Sequence, residues 1–137
     1  MMMTNYNLSE KGKKRIFDSL LNSLDCGQCF VLVSALTNNG EILRGTASMD
    51  MRWDKITNID LRDVEDDEVY SFPIEKLYEA WWKITSRQLD KHEKQHCHLD
   101  YARRISSLGF DPENADTDAY DDDILVQVAV FGEVIYG

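Results

Sequence analysis

The chain has 137 residues, of which 43% are hydrophobic and 10% aromatic, and its formal net charge is −10. This length suits one domain over 1–137, and the apolar fraction is high enough to fill a core, which argues against disorder of the whole chain. The surplus of carboxylates argues against direct binding of nucleic acid, because neutralising phosphates requires a surplus of Lys and Arg.

The sequence predicts a cytoplasmic protein that makes no contact with a membrane. Its longest apolar run, 124–131, is too short to span a bilayer and is interrupted by Gln127. The first six residues lack the basic start and the apolar stretch of a signal peptide. Three cysteines are too few for a disulfide scaffold and suit a reducing compartment.

The first predicted element is a helix over 8–25, with Ser9 as its N-cap. Apolar residues recur on one face of this helix: Ile16, Phe17, Leu20, Leu21 and Leu24. Four basic residues within 11–15 oppose the helix dipole. We expect acidic groups of the same molecule to hold them, the alternative being an acidic partner.

A β-hairpin over 30–48 follows. Phe30 to Thr37 is rich in apolar and β-branched residues, Asn38-Asn39-Gly40 carries the turn chemistry, and 41–48 forms the returning strand. Residues 50–70 are ambiguous and allow one further short strand.

A long helical segment is predicted over 73–108. Pro73 suits a first turn, and neither Gly nor Pro recurs before Gly109, so this is one helix or two joined near Asp90. The buried face of its first half is predicted to contain Ile74, Leu77, Tyr78, Trp81 and Ile84. Trp82 lies at the margin of that face, either as an exposed anchor for a partner or as part of a wide buried face.

The last segment, 124–136, favours a strand, because alternate residues from Ile124 to Tyr136 form an unbroken apolar face and four valines lower helix propensity. The acidic run before it would instead suit a helix N-terminus. The predicted fold is therefore α+β: a small antiparallel sheet, made of the hairpin 30–48 and the C-terminal strand 124–136, packed against the N-terminal helix and the segment 73–108.

Two patterns suggest zinc. Cys26 and Cys29 form a C-x-x-C pair, and two of His96, Cys97 and His98 would complete a structural site of four N/S ligands. The alternative is a pair of half-buried cysteines where a helix meets a strand. A thioredoxin-like role conflicts with the position of Cys26 at a helix C-terminus.

The segment His92-Glu93-Lys94-Gln95-His96 matches the H-E-x-x-H pattern of zinc metalloproteases, in which two histidines on one helix face bind Zn²⁺. Lys94 would place a cation beside the metal, and the flanking residues are polar. These features favour an exposed helix surface over a catalytic site.

Acidic residues are concentrated in two runs, with six in 60–68 and seven in 111–123 out of 25 in the chain. Crowded like charges destabilise a fold, so dispersal would serve solubility better. Neither run has the order of an EF-hand. In an extended chain, carboxylates at i and i+2 lie about 6.6 Å apart on one side, which resembles a row of phosphates. The alternative is two solvated acidic loops.

These features predict a non-enzymatic protein, without a cofactor, that docks an acidic surface onto a basic protein surface, such as that of a nucleic-acid-binding protein. The nearest functional analogy, based on size, charge and clustering, is to small anti-CRISPR and anti-restriction inhibitors that mimic nucleic acid. The predicted contact residues are Asp66, Asp67, Glu68, Asp121, Asp122 and Asp123, with Trp82 as an apolar anchor. A homodimer is compatible with the sequence. The alternative is a small zinc protein that uses Cys26, Cys29, His96 and His98.

Overall fold

The computed structural model describes residues 8–26, 29–85 and 119–132. Over these ranges helices pack against an antiparallel sheet, which confirms the α+β class. The elements in chain order are α1 (Glu10–Cys26), β1 (Phe30–Thr37), β2 (Ile42–Leu43), α2 (Thr46–Met51), a 3₁₀ turn (Trp53–Lys55), β3 (Ile56–Asp63), β4 (Val69–Pro73), α3 (Glu75–Thr85) and α4 (Ala119–Phe131). None of the described helices is long and apolar enough to cross a bilayer.

The described strands form one sheet in the order β2-β1-β3-β4, and every neighbouring pair is antiparallel. One face of the sheet is buried, and the core residues on it are Phe30, Ala35, Leu43, Ile59, Leu61 and Phe72. Strand residues alternate between faces. The opposite face carries the exposed apolar side chains Val31, Leu36, Ile42 and Val69.

Helix α1 forms as the sequence predicts. The Ser9 hydroxyl accepts the N–H of Gly12 at 2.9 Å, which is the N-cap bond. Ile16, Phe17, Leu20 and Leu24 are buried, and Leu21 is partly buried against the core.

Carboxylates of the same molecule pair with lysines of the basic cluster at the start of α1. Lys14 contacts Asp18 at 2.5 Å and Asp50 at 2.7 Å, and Lys13 lies 3.5 Å from Glu10. The expected intramolecular pairing is therefore found for these two lysines.

The predicted C-terminal strand over 124–136 is wrong, because Ala119–Phe131 is a helix. Every residue from Asp122 to Ala129 is buried. A helix that is surrounded by protein needs no polar face, so the lack of an amphipathic pattern does not argue against a helix here. The acidic residues at its start are favoured by the helix dipole.

The returning strand of the hairpin is shorter than predicted. It contains only Ile42 and Leu43, and Thr46–Met51 forms α2 instead of continuing to 48. Met49 on this helix is fully buried. Burying a large apolar side chain contributes about 1.5–3 kcal/mol, which explains why the chain leaves the sheet here.

Pro73, predicted to lie in the first turn of a helix, is instead the last residue of the edge strand β4, and α3 begins at Glu75. Pro73 is compatible with this position, because proline within a sheet is confined to edge strands and to the ends of strands. The predicted buried face is confirmed, since four of its residues are buried on α3 and the fifth, Ile74, is buried directly before it. The rest of the predicted helical segment, 86–108, lies outside the described residues.

A matched pair of glycine substitutions tests the end of α4. Gly132 has φ +79 and donates its N–H to the carbonyl of Val128 at 2.8 Å, as in a left-handed helix cap. Gly132→Ala should lower the free energy of unfolding by about 1 kcal/mol, because L-residues are strained there. Gly45, the N-cap of α2, has ordinary extended geometry and open space at its Cβ position, so Gly45→Ala should cost less, about 0.5 kcal/mol, from the poorer cap alone.

Urea unfolding of the two variants measures this difference. Equal stability of Gly132→Ala and Gly45→Ala would contradict the helix end, since a strand requires no left-handed residue at 132.

Candidate functional site

Cys29 joins parts of the two acidic runs at one end of the fold. Its carbonyl accepts the N–H of Val64 at 3.0 Å, next to the β3–β4 turn. Its thiol donates to Asp123 Oδ2 at 2.9 Å, at the start of α4. Folding therefore brings residues of both runs together, but it exposes them to very different degrees.

The β3–β4 turn is organised by Asp63, whose side chain is fully buried. Its Oδ1 accepts the N–H of Glu65 at 2.8 Å, and its backbone bonds to Asp67 and Glu68 at 2.8 Å each. Asp66 Oδ1 accepts the N–H of Glu68 at 2.9 Å. Side-chain to backbone bonds of this kind hold a turn in one conformation.

The tip of this turn is exposed and negative. We call residues Glu65, Asp66, Asp67 and Glu68, all exposed, the acidic turn. Arg62 lies 3.6 Å from Asp67, but both side chains are well exposed, so the pair is weak. The pKa of Tyr70 is raised, first by desolvation and then by Asp66 and other carboxylates of the turn.

Asp122 and Asp123 were predicted to face a partner, and the structure corrects their placement. They are 1% and 9% exposed, because the start of α4 packs under the C-terminal end of α1. Asn22 donates to Asp122 at 3.3 Å. Neither carboxylate lies on a docking surface in this structure, and the side chain of Asp121 lies outside the described residues.

Asp123 is the centre of a buried polar cluster. It accepts hydrogen bonds from the Ser23 hydroxyl at 3.2 Å, the Cys29 thiol at 2.9 Å and the Gln127 amide at 3.2 Å. The Gln127 amide also lies 3.7 Å from the Cys29 sulfur. Buried polar groups are tolerated when they are hydrogen-bonded in this way.

The Cys29 thiol is unsuited to nucleophilic chemistry. Burial raises its pKa to about 12, with Asp123, Asp63 and Glu65 adding to the shift. A reactive or metal-binding cysteine needs its thiolate, which is favoured by a lowered pKa. Cys29 is therefore a hydrogen-bond donor at neutral pH.

The predicted zinc site is only partly within the described residues. Cys26 is exposed at the end of α1, whereas Cys29 is buried. In the part of the chain that the structure describes, no group of three or more His, Cys, Asp or Glu side chains could hold a metal ion. His96, Cys97, His98 and the H-E-x-x-H segment lie outside that part.

Trp81 and Trp82 differ in exposure on α3, at 2% and 36%. Trp82 therefore presents part of its ring to solvent, whereas Trp81 lies in the core. The role of Trp82 as an anchor for a partner stays a prediction.

Ser23, Asp63 and Gln127 have buried roles that were not predicted from the sequence. Ser23 lies on the apolar side of α1 between Leu20 and Leu24, and Gln127 interrupts an apolar run. A polar residue within an apolar pattern is the available signal for a buried hydrogen-bonding group.

Comparison of the chain with known protein families, curated proteins and solved structures gave no match.

Replacing Asp123 tests the buried cluster. Asp123→Ala removes the acceptor for Ser23, Cys29 and Gln127, and leaving such donors unsatisfied should lower the free energy of unfolding by about 1–3 kcal/mol. Asp18→Ala is the matched control, because Asp18 is a partly exposed helical aspartate paired with Lys14. Chemical denaturation should show the smaller loss for Asp18→Ala, at about 0.5 kcal/mol. Equal losses would show that Asp123 is solvated.

The raised pKa of Cys29 predicts a loss of stability at alkaline pH. Burial in the folded protein raises the pKa of the Cys29 thiol from 9.0 to about 12. Between these values unfolding releases a proton, so the contribution is complete below pH 9 and is lost as the pH rises toward 12. Burial also raises the pKa of Tyr78 from 10.0 to about 12, and this shift likewise lowers stability as the pH rises.

The free energy of unfolding, measured from pH 8 to 11 in a reducing buffer, should therefore fall less steeply in Cys29→Ser than in the unsubstituted protein. If the free energy of unfolding falls equally steeply with pH in both proteins, the loss of stability does not come from Cys29.

Proposed function

We propose that this protein is a non-enzymatic binding protein that docks the acidic turn onto a basic surface of a protein partner. The observation that carries this proposal is that four exposed carboxylates project from one turn whose conformation is held by the buried Asp63. Preorganised groups lose little entropy on binding, which favours recognition by such a turn.

The charge of the whole molecule supports the same conclusion. A net charge of −10 accelerates encounter with a basic surface and opposes encounter with an acidic one. The acidic turn then provides the local concentration of charge that orients the encounter. Asp60 extends this negative area along β3, and its carboxylate accepts a hydrogen bond from Ser71 at 2.6 Å.

The docking surface in this proposal is smaller than the sequence predicted. It retains Asp66, Asp67 and Glu68 and loses the buried Asp122 and Asp123. It also loses the extended row of carboxylates, because 65–68 is a turn and 121–123 begins a helix. These changes favour docking onto a basic protein surface over imitation of a phosphate row. Nucleic-acid mimicry of the anti-CRISPR or anti-restriction type would be a special case of such docking, and the loss of the extended row removes the feature that favoured it.

A triple substitution with isosteric amides tests the proposal: Asp66→Asn, Asp67→Asn and Glu68→Gln. These side chains keep the hydrogen bonds of the turn, and Asn tolerates the φ of +64 at position 67. Removing three exposed charge pairs at about 0.5 kcal/mol each should weaken binding about tenfold. The partner is captured from a lysate of the native host at low and high salt and identified by mass spectrometry, and its affinity is measured by calorimetry.

A control triple, Asp25→Asn, Glu41→Gln and Asp50→Asn, changes the net charge equally at exposed positions elsewhere. It should weaken binding much less than the triple in the turn. An equal effect of both triples, or an affinity that salt leaves unchanged, would overturn the proposal.

A further inference from the structure

A second candidate site lies at the opposite end of β3 from the acidic turn. It is a cleft of about 350 Å³, lined by Glu10, Lys13, Trp53, Asp54, Ile56, Ile74, Glu75 and Tyr78. Strand β3 has eight residues, so its length separates the two sites by about 23 Å. The volume is within the range of small-molecule and side-chain sites, about 300–1,000 Å³.

The cleft is built where α1, the 3₁₀ turn, β3 and α3 begin. Glu10 and Lys13 lie in the first turns of α1, Trp53 and Asp54 in the 3₁₀ turn, and Glu75 at the start of α3. The buried Ile56 and Ile74 form the floor, where the Ile74 N–H donates to the carbonyl of Thr57 at 2.9 Å. The accessible lining of the cleft is therefore mostly polar, and two buried isoleucines lie beneath it.

Two aromatic rings line the cleft and are held from the interior. The Trp53 ring packs on the fully buried Phe17, with 6.4 Å between the ring centroids. Tyr78 is buried on α3, and burial raises its pKa to about 12, with Glu75 and Glu10 adding to the shift. The Tyr78 phenol is therefore neutral at physiological pH, and the face of its ring that borders the cleft lies beneath the Lys13 ammonium.

The charges of the cleft favour a cation. Three carboxylates and one ammonium leave a formal charge of −2. Glu10 pairs with Lys13 at 3.5 Å, whereas Asp54 and Glu75 form no ion pair within the described residues. Helix dipoles favour acidic residues in first turns and account for Glu10 and Glu75. They do not account for two aromatic rings in the same cleft.

Lys13 shows where a cation is accommodated. Its Nζ lies 5.9 Å from the centroid of the Tyr78 ring, within the range of a cation–π contact. The same ammonium contacts Glu10. A lysine of the protein itself thus occupies the position that combines an aromatic face with a carboxylate.

We propose that this cleft binds the guanidinium group of an arginine side chain on a protein partner, with displacement of Lys13. A guanidinium stacks on aromatic rings and forms paired bonds to carboxylates, which a compact ammonium does not. The acidic turn, 65–68, contributes no residue to the cleft, which lies at the other end of β3. Arginine binding in the cleft and docking of the acidic turn can therefore be tested separately.

N-acetyl-L-argininamide is the probe, and N-acetyl-L-citrullinamide is its neutral isostere. Each is titrated into the full-length ¹⁵N-labelled protein while the indole N–H signal of Trp53, assigned with Trp53→Phe, is followed by NMR. The arginine compound should shift this signal saturably, with a Kd on the order of 1 mM, since one cation–π contact and exposed ion pairs are individually weak. The citrulline compound should not. Equal shifts with both compounds, or no saturable shift with arginine, would overturn the proposal.

Two variants with opposite expected effects on arginine binding distinguish a binding role of these residues from a purely structural one. Glu75→Gln should weaken arginine binding about threefold, and Lys13→Gln should strengthen it by a similar factor because the internal competitor is lost. Tyr78→Phe keeps the ring and should retain binding. The amide triple in the acidic turn should leave the titration unchanged. Unchanged or weaker binding in Lys13→Gln would contradict displacement of the lysine.

Discussion

The interior position of Asp123 constrains the whole arrangement of the described elements. A carboxylate removed from water must receive hydrogen bonds, and Asp123 receives them from three places: α1, the residue before β1, and the next turn of its own helix. The bond to Ser23 joins positions 100 residues apart in the chain. Because these donors are themselves buried, α4 has a defined depth and rotation against α1 and the sheet.

Burial divides the acidic residues into two groups with different roles. Asp63, Asp122 and Asp123 lie inside, where Asp63 organises a turn and Asp123 joins elements. Asp66, Asp67 and Glu68 lie outside, where their charge is available to a partner. The acidic runs of the sequence therefore contain both buried carboxylates that stabilise the fold and exposed carboxylates that charge the surface. The cleft at the other end of β3 adds a second negative region, which differs because it contains aromatic rings.

How far the sequence predicted each element depended on how that element is buried. Helices α1 and α3 have one face in the core and one in water, so their apolar spacing was sufficient to place Ile16, Phe17, Leu77 and Trp81. In α4 every residue from Asp122 to Ala129 is buried, and the apolar pattern of this stretch has no helical period. Strand β4 is short, lies at an edge and ends in proline, so its local signal is weak and its pairing with β3 decides its conformation.

By itself the sequence determined the α+β composition, the cap at Ser9, the buried faces of two helices and the presence of two acidic runs, since these follow from local spacing and charge. Only the tertiary structure decided which carboxylates are buried, because burial depends on contacts between distant segments. It also brought Trp53 and Tyr78 into one cleft, from the 3₁₀ turn and α3. Local periodicity describes one element at a time, whereas a site is formed by several elements whose relative positions are set by packing.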